Sequence, residues 1–270
     1  MKPIQKNLLE GGALIPSVSI SNDFAKSIET MIDAFHRDIA REIKAAFKAA
    51  NPEYAMDGSF TFEARKRINA LKEKWQERFN ELAKNAVNRM IRRIDKNSSV
   101  SLNLSLKNLS DSISIDTTFS DARLKDVIQA STQEAAQLIK RIPAKYLDEV
   151  QGQVMRSITS GNGTKDLVPY LTKKYNGDIK WARHVALDQT RKAYTSINTV
   201  RLQNMGVEEF KWVHTGGSAH PRKEHIALSG KIFRYDDPPV IDPRTGERGL
   251  PSVAPFCRCI AIPVIKLVKD

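Results

Sequence analysis

The sequence predicts an α+β protein that is mainly α-helical, with a long N-terminal helical hairpin, a central helical domain and a small C-terminal α/β lobe of short strands. Apolar residues recur every three or four positions over most of residues 24–205, which is the spacing of one helix face. After Gly206, apolar and polar residues alternate instead, which is typical of strands. Glycine and proline are frequent from Asp236 to Pro255 and predict a long loop there.

Two apolar stripes predict the N-terminal hairpin. The first consists of Phe24, Ile28, Ile32, Phe35, Ile39, Ile43 and Phe47, and the second of Phe62, Ile68, Leu71, Trp75, Phe79, Leu82, Met90 and Ile94. Ser21 or Asn22 can cap the first helix, and Asn51-Pro52 stops it. Because the other faces are polar, each helix has one stripe to bury, against the other helix or against a partner chain. We therefore expect residues 1–95 to serve as an assembly or tethering element.

Residues 96–120 form the predicted boundary between domains. Within them, apolar residues alternate with Ser and Asn at Val100, Leu102, Leu104 and Leu106. Residues 112–118 show the same alternation of apolar and polar residues, around two isoleucines. A period of two predicts two short strands, and a polar, serine-rich linker is the alternative interpretation.

Helical periodicity resumes at residue 121 and defines the central helices. Pro143 suits the first turn of a helix, where the amide hydrogen that proline lacks would have no partner inside the helix. A short helix over residues 164–171 and a longer one over residues 178–205 are predicted to follow. Gly206 fits the left-handed position that ends many helices.

The C-terminal lobe is predicted to combine short strands with one helical segment. Phe210, Trp212 and His214 alternate with other residues as in a strand, and Pro221–Leu228 can form a helical segment. Further strands are predicted over residues 231–233 and, after the long loop, from Cys257 to Ile265.

Basic residues outnumber acidic ones by 43 to 31, so the formal net charge is +12. An excess of this size favours a polyanionic partner, with nucleic acid ahead of membrane; a solvated basic surface is the alternative. No apolar run approaches the roughly 20 residues of a membrane span, and the N-terminus lacks the pattern of a secretory signal. We therefore expect a protein of the reducing cytoplasm with no membrane partner.

Positive charge is concentrated over residues 140–201, which contain 12 basic and five acidic residues. The candidate phosphate-binding side chains are Lys180, Arg183, Arg191, Lys192 and Arg201. Nothing in the sequence is typical of a base-reading helix, so double-stranded DNA is the expected partner and the binding should be independent of its sequence.

The two cysteines, Cys257 and Cys259, are the candidate metal ligands. In a strand, residues two apart point to the same side, so both thiols would face one place. His225 is the candidate third ligand and His214 a possible fourth. Two thiolates and two imidazoles suit a tetrahedral structural zinc site. The alternative is that the thiols are buried packing residues and that hydrogen bonds satisfy the imidazoles.

A metal-dependent nuclease is a second interpretation of the same region. His220, Glu224 and His225 could supply a base, a carboxylate and a ligand. The other nearby acids, Asp236, Asp237 and Asp242, lie in a loop without recognisable spacing, and solvation explains them more simply. The sequence contains neither a phosphate-binding loop motif nor a Gly-x-Ser-x-Gly elbow. We therefore assign no catalytic residue.

Three segments of the C-terminal half occur in a defined order: ARHVALDQTRKAYTSINTVRLQNMGV, FKWVHTGGSAHPRKEHIALSGKIF and PFCRCIAIPVI. They resemble the Mu F-like head-morphogenesis proteins of tailed phages, whose pattern is an arginine-bearing helix, a Trp strand, an Arg-x-x-His segment and a Cys-Arg-Cys. The matching positions are Arg183, Asp188, Arg191, Arg201, Gly206, Trp212, Arg222, His225, Gly230, Cys257, Arg258 and Cys259. With IKRIPAKYLDEVQGQV upstream, the resemblance covers about residues 125–265.

The resemblance implies a structural minor head protein rather than an enzyme. Such a protein lies in the virion, inside the capsid near the portal, and helps head assembly and DNA packaging or delivery. It implies the portal protein and the major capsid or scaffold protein as partners, the host cytoplasm as the location during assembly, and a head-morphogenesis domain at residues 121–270. The alternatives are a metal-dependent nuclease or toxin-like effector, and a non-specific DNA-binding protein without a capsid role.

Overall fold

The structure, a computed structural model, describes residues 8–49, 58–107, 120–160, 164–216 and 221–266. The helices are α1 (Val18–Ala49), α2 (Gly58–Lys107), α3 (Ala122–Lys140), α4 (Ile142–Thr159), α5 (Thr164–Asn204) and α6 (Lys223–Leu228). The strands are β1 (Leu8–Glu10), β2 (Glu209–Val213), β3 (Ile232–Arg234), β4 (Val240–Asp242), β5 (Glu247–Arg248) and β6 (Ile260–Lys266). The chain is therefore mainly helical with α+β character, which confirms the predicted fold class.

Residue contacts divide the chain into two compact units. The first comprises Met1–Ile20, Met90–Ser131 and Leu187–Asp270, and the second comprises Ser21–Arg89 and Thr132–Ala186. Each unit takes residues from both sides of the domain boundary that the sequence suggested. The division of the chain by function stays a prediction.

The helical hairpin of α1 and α2 is confirmed by its buried aromatic residues in the second unit. The Phe35 ring lies 5.1 Å from Trp75 and 5.4 Å from Phe79 between centroids, and 5.0 Å from Tyr146 of α4. The predicted start of α1 is wrong, because the helix begins three residues before Ser21. Ser21 is buried inside the helix and Asn22 follows it, so neither is a cap. The predicted stop at Asn51-Pro52 lies outside the described residues.

A buried carboxylate also holds the hairpin together. Asp38 of α1 accepts hydrogen bonds from the Trp75 indole Nε1 at 2.8 Å and from Lys74 Nζ at 2.7 Å, both on α2. Burial acts to raise the pKa of Asp38, but the hydrogen bonds from Lys74 and Trp75 outweigh it, and with the nearby Arg41 they leave the pKa below its usual range. The ionised form of Asp38 therefore stabilises the folded hairpin.

Asp38→Asn should lower the free energy of unfolding by about 1 kcal/mol at neutral pH, because it replaces charge-assisted hydrogen bonds with neutral ones. The folded-state pKa is lowered, so this stabilisation is present above the ordinary Asp pKa and is lost as pH falls through the folded value. Urea denaturation at several pH values measures it. The exposed Asp148, paired with Lys72, provides the control: Asp148→Asn should change stability little. A difference between wild type and Asp38→Asn that does not shrink in acid would contradict the assignment.

The strands predicted over residues 100–106 are wrong, because these residues are the last turns of α2. Ser98, Leu102 and Ser105 are buried at helical spacing, whereas Leu104 is exposed. Ser98 Oγ donates to Asn198 Oδ1 at 2.6 Å, and Ser105 Oγ donates to the Gly12 carbonyl at 2.7 Å. The alternation of apolar and polar residues predicted strands wrongly, because some of the serines lie on the buried face of the helix. The second half of this region, residues 112–118, lies outside the described residues.

The two helices predicted over 164–171 and 178–205 are one continuous helix, α5. Pro169 lies inside this helix, in its second turn, where proline removes one backbone hydrogen bond without ending the helix. Asp178, the predicted start of a new helix, instead accepts a hydrogen bond from Lys174 one turn earlier at 3.2 Å. The predictions for Pro143, at the start of α4, and for Gly206, which follows α5 with φ +78°, are confirmed.

The strands of the first unit form an antiparallel sheet in the order β1-β6-β2-β3, and β4 and β5 form a separate hairpin. The strands predicted from Phe210 and over residues 231–233 are confirmed. The sequence missed β1 and the hairpin inside the loop from Asp236 to Pro255. The last strand begins at Ile260, so Cys257 and Cys259 precede it. The prediction that both cysteines lie on one face of this strand is therefore wrong.

The N-terminal segment is part of the first unit rather than a free extension. Leu8 pairs with Lys266 in the sheet, and the Gly12 amide donates to the Ser105 carbonyl at 3.0 Å. Arg201 of α5 donates to Asp95 of α2 in the same unit. Residues 1–95 therefore contribute to the packing of the C-terminal strands, and deleting them would expose the edge of β6.

Candidate metal centre

Four potential metal ligands meet in the C-terminal lobe. His214 follows β2, His225 lies in α6, and Cys257 and Cys259 precede β6. His225 and the two cysteines are buried, with ligand atoms that all lie within 4.8 Å of one another. His214 is half-buried and joins the cluster through Cys259. The residues that the sequence singled out as metal ligands are thus brought together, although by a loop rather than by a strand.

Each imidazole points its Nδ1 atom at sulfur. The His225 Nδ1 lies 3.4 Å from the Cys257 Sγ and 3.8 Å from the Cys259 Sγ. The His214 Nδ1 lies 3.5 Å from the Cys259 Sγ. The two sulfurs and a His225 nitrogen therefore lie within 4.8 Å of one another, and the His214 nitrogen lies beside one of these sulfurs.

The surroundings of His225 argue against the alternative of a packing histidine. Its ring is only 2% exposed, and its Nε2 atom has no hydrogen-bond partner among the described residues. The polar contacts described for the ring are those with the two thiols. Carbonyl or carboxylate partners, which normally satisfy a buried imidazole, are not among them.

The two thiols differ in acidity. The hydrogen bond from the Cys259 thiol, with a further one from His225, lowers the pKa of Cys257 to about 4 despite burial. The negative sulfur of Cys257 in turn raises the pKa of Cys259. Cys257 is therefore the more acidic of the two thiols, and the thiolate is the form that binds metals.

Two arginines add positive charge beside Cys257. Burial and the neighbouring Arg258 lower the pKa of Arg191, and the Cys257 sulfur partly offsets them. Arg191, predicted as a phosphate contact, thus lies against the Cys-Arg-Cys segment on a half-buried part of α5. Arg258 itself is exposed.

Hydrogen bonds from distant elements hold the backbone around the cysteines. The Phe256 amide donates to Asp188 Oδ1 of α5 at 2.7 Å. The carbonyl of Pro255 accepts from Arg222 at 2.9 Å, and the carbonyl of Cys259 accepts from Ser252 Oγ at 2.7 Å. Asp188 and Arg222 were singled out by the resemblance without a role, and both bind the segment that carries the thiols.

The same loop contains two residues with left-handed backbone conformations. Ser252 has φ +68° and Phe256 has φ +58°, which are uncommon outside glycine. Such conformations persist only where the surroundings enforce them, and they cluster at functional sites. Here they direct Cys257 and Cys259 inward while Phe256 remains exposed.

Trp212 packs against the His225 ring, and Gly230 forms the turn beside Trp212. The Trp212 ring is fully buried and meets the His225 ring edge-on, with centroids 5.4 Å apart. The Gly230 amide donates to the Trp212 carbonyl at 2.8 Å, and Gly230 has φ +81°, a turn that favours glycine. Two further residues, Ser252 and Thr215, bind backbone carbonyls of this segment, and the Thr215 Oγ1 donates to the Arg258 carbonyl. The sequence did not predict them, because serine and threonine are too common to indicate such contacts.

The five predicted phosphate contacts do not form one exposed row. Arg201 is buried and paired with Asp95 at 2.7 Å, so its assignment as a DNA contact is corrected. Arg183 hydrogen-bonds Glu29, and Lys192 lies 3.4 Å from Asp188. Lys180 is exposed on α5.

The acids considered for nuclease chemistry are engaged by arginines. Asp236 and Asp242 accept hydrogen bonds from Arg234 at 2.8 Å and from Arg244 at 2.9 Å, and Asp237 pairs with Arg248. Glu224 is exposed on α6, and His220 lies outside the described residues.

A long helix, a Trp strand and a buried Cys-x-Cys held by that helix are the structural features that correspond to the motifs of the resemblance. Residues 148–262 match the family described as phage Mu protein F like protein. The resemblance is thereby confirmed, and these residues carry a phage Mu F-like region. They include every motif position from Arg183 to Cys259.

A curated protein of Haemophilus influenzae, described as uncharacterized, is 26% identical to this chain over 235 residues. The similarity covers 86% of this chain and 51% of the relative, so the chain spans about half the length of the curated protein it matches. No solved structure matches. Among the described residues, no helix has the length and apolar character needed to cross a membrane.

Proposed function

We propose that this chain is a structural minor head protein of a tailed phage, which lies inside the capsid near the portal and assists head assembly and DNA packaging or delivery. The observation that carries the proposal is the phage Mu F-like match over residues 148–262, a family that suggests phage head morphogenesis. The portal protein and the major capsid or scaffold protein are the proposed partners. Before assembly the chain would reside in the host cytoplasm.

The geometry of the motif residues favours a structural role. Asp188 and Arg222 bind backbone atoms of one loop, and Trp212 is buried behind His225. Residues of a catalytic site would instead point polar groups toward a substrate cleft. The motif thus maintains the shape of the C-terminal lobe, which suits a surface for assembly.

Protease protection in purified phage particles tests the proposed location. An epitope-tagged chain should co-purify with heads, resist added protease while the capsid is intact, and become sensitive once the capsid is opened. It should also be retained by an isolated portal ring. Absence from heads, or digestion while the capsid remains closed, would refute the proposal.

We further propose weak, sequence-independent contact with double-stranded DNA through exposed cations such as Lys180. Retention on two unrelated duplexes should be equal and should fall steeply with salt, because bound phosphates release counterions. Lys180→Gln should reduce the slope of log affinity against log salt by about 0.9. Lys44→Gln, which removes an exposed charge from α1, is the matched control and should leave the slope unchanged.

A preference for one duplex, or retention that does not depend on salt, would refute the DNA proposal without affecting the head assignment. The same samples incubated with supercoiled plasmid and Mg²⁺ or Zn²⁺ test the nuclease alternative. We expect the plasmid to remain supercoiled, whereas conversion to nicked circles would favour the enzyme.

A further inference from the structure

We infer that His225, Cys257 and Cys259 bind one zinc ion in a structural site, with His214, whose Nδ1 lies 3.5 Å from the Cys259 Sγ, as its candidate fourth ligand. The inference rests on the geometry of these four side chains and holds whether or not the chain acts in phage heads.

The spacing of the donor atoms fits a tetrahedral ion. Zinc binds sulfur at about 2.3 Å and imidazole nitrogen at about 2.0–2.1 Å, which places a sulfur and a nitrogen about 3.5 Å apart at the tetrahedral angle. The three sulfur–nitrogen distances in the cluster are 3.4, 3.5 and 3.8 Å. A thiol–imidazole hydrogen bond explains one such distance, but it does not explain why the His225 nitrogen lies within 4 Å of both sulfurs.

The charge of the cluster also favours a divalent ion. Two thiolates and two neutral imidazoles balance the charge of Zn²⁺, so the bound site would bury no net charge. The sulfur–nitrogen donor set selects zinc over magnesium or calcium, which prefer oxygen.

With His214 as the fourth ligand, protein atoms would fill the coordination shell. Catalytic zinc sites usually retain a water molecule as the fourth ligand, whereas structural sites are closed. The site would join the end of β2, the six-residue helix α6 and the loop before β6. A helix of that length is not stable by itself, so a metal that fixes His225 would hold α6 against the sheet.

Metal analysis of the full-length chain, purified without chelator and without a histidine tag, is the direct test. We expect about one zinc per chain. Replacement by Co²⁺ should give the intense visible bands of tetrahedral cobalt together with a thiolate-to-cobalt charge-transfer band. Reaction with a mercurial reagent should release the zinc as both thiols are modified.

Variants identify the ligands. Cys257→Ser and His225→Ala should lose stoichiometric zinc, whereas His184→Ala, an exposed histidine on α5, should retain it as the matched control. His214→Gln removes the half-buried ligand and is the milder change. It should keep the protein folded but shift the cobalt spectrum, because a water replaces one imidazole.

Absence of zinc from the wild-type chain, with two titratable thiols and no cobalt spectrum on reconstitution, would overturn the inference. So would octahedral cobalt bands, or zinc that survives in the Cys257→Ser and Cys259→Ser variants. These wild-type measurements do not depend on whether any variant folds.

Discussion

Phe35→Ala should lower the free energy of unfolding by about 3–5 kcal/mol, the loss typical of a large aromatic residue removed from a packed core. The Phe35 side chain is fully buried and contacts three aromatic rings, those of Trp75, Phe79 and Tyr146. These rings come from two other helices of the second unit, α2 and α4, so the cavity left by the substitution cannot collapse by moving one neighbour alone. Urea denaturation followed by circular dichroism measures the loss.

The chain offers a matched control for this prediction. Phe62 belongs to the apolar stripe that predicted α2, but it is 65% exposed. Phe62→Ala should therefore change stability by no more than about 0.5 kcal/mol. Similar losses for both variants would show that the hairpin does not pack through Phe35.

Trp212→Ala should have an effect of similar size in the first unit, about 3–5 kcal/mol, because the indole is fully buried behind His225. The loss should be local as well as global. The Trp212 amide donates to the Lys231 carbonyl, and the Gly230 amide donates to the Trp212 carbonyl. Both amide hydrogens should exchange with deuterium much faster in the variant, because the indole ring that packs beside the turn at Gly230 has been removed.

Trp212→Phe separates ring volume from the indole nitrogen. The Trp212 side chain also forms a hydrogen bond with Cys259, which partly offsets the rise in the pKa of that thiol. Phenylalanine should preserve most of the buried ring volume, so the loss should be about 1–1.5 kcal/mol. If phenylalanine proved as damaging as alanine, the contact of the indole nitrogen would matter more than the volume of the ring.

The helical hairpin could be predicted because its signal is local and repeated. Residues such as Ile28, Ile32 and Phe35 recur over many turns, and all three are fully buried. The end of α2 could not be predicted in the same way. Ser98 and Ser105 are buried there because their hydroxyl groups donate hydrogen bonds to Asn198 and to the Gly12 carbonyl, and those partners are distant in sequence.

At the candidate site, the residue types could be predicted from the sequence, but their geometry could not. The chemistry of Cys257, Cys259 and His225 identified them as a potential cluster, since few other combinations bring two thiols and an imidazole together. The assumed strand face was wrong because two left-handed residues, Ser252 and Phe256, turn the chain before β6. A serine or phenylalanine in the sequence does not indicate a left-handed backbone conformation, as a glycine would.

The position of β6 in the sheet has a consequence for folding during synthesis. β6 lies between β1 and β2, and Leu8 of β1 pairs with Lys266 of β6. On the ribosome β1 emerges first and β6 last among the described strands, so β1 must wait for nearly the whole described chain before its partner appears. Closing so long a loop is slow. A nascent chain that stops before Ile260 would leave β1 without its partner and β2 with one open edge, and such edges recruit other chains.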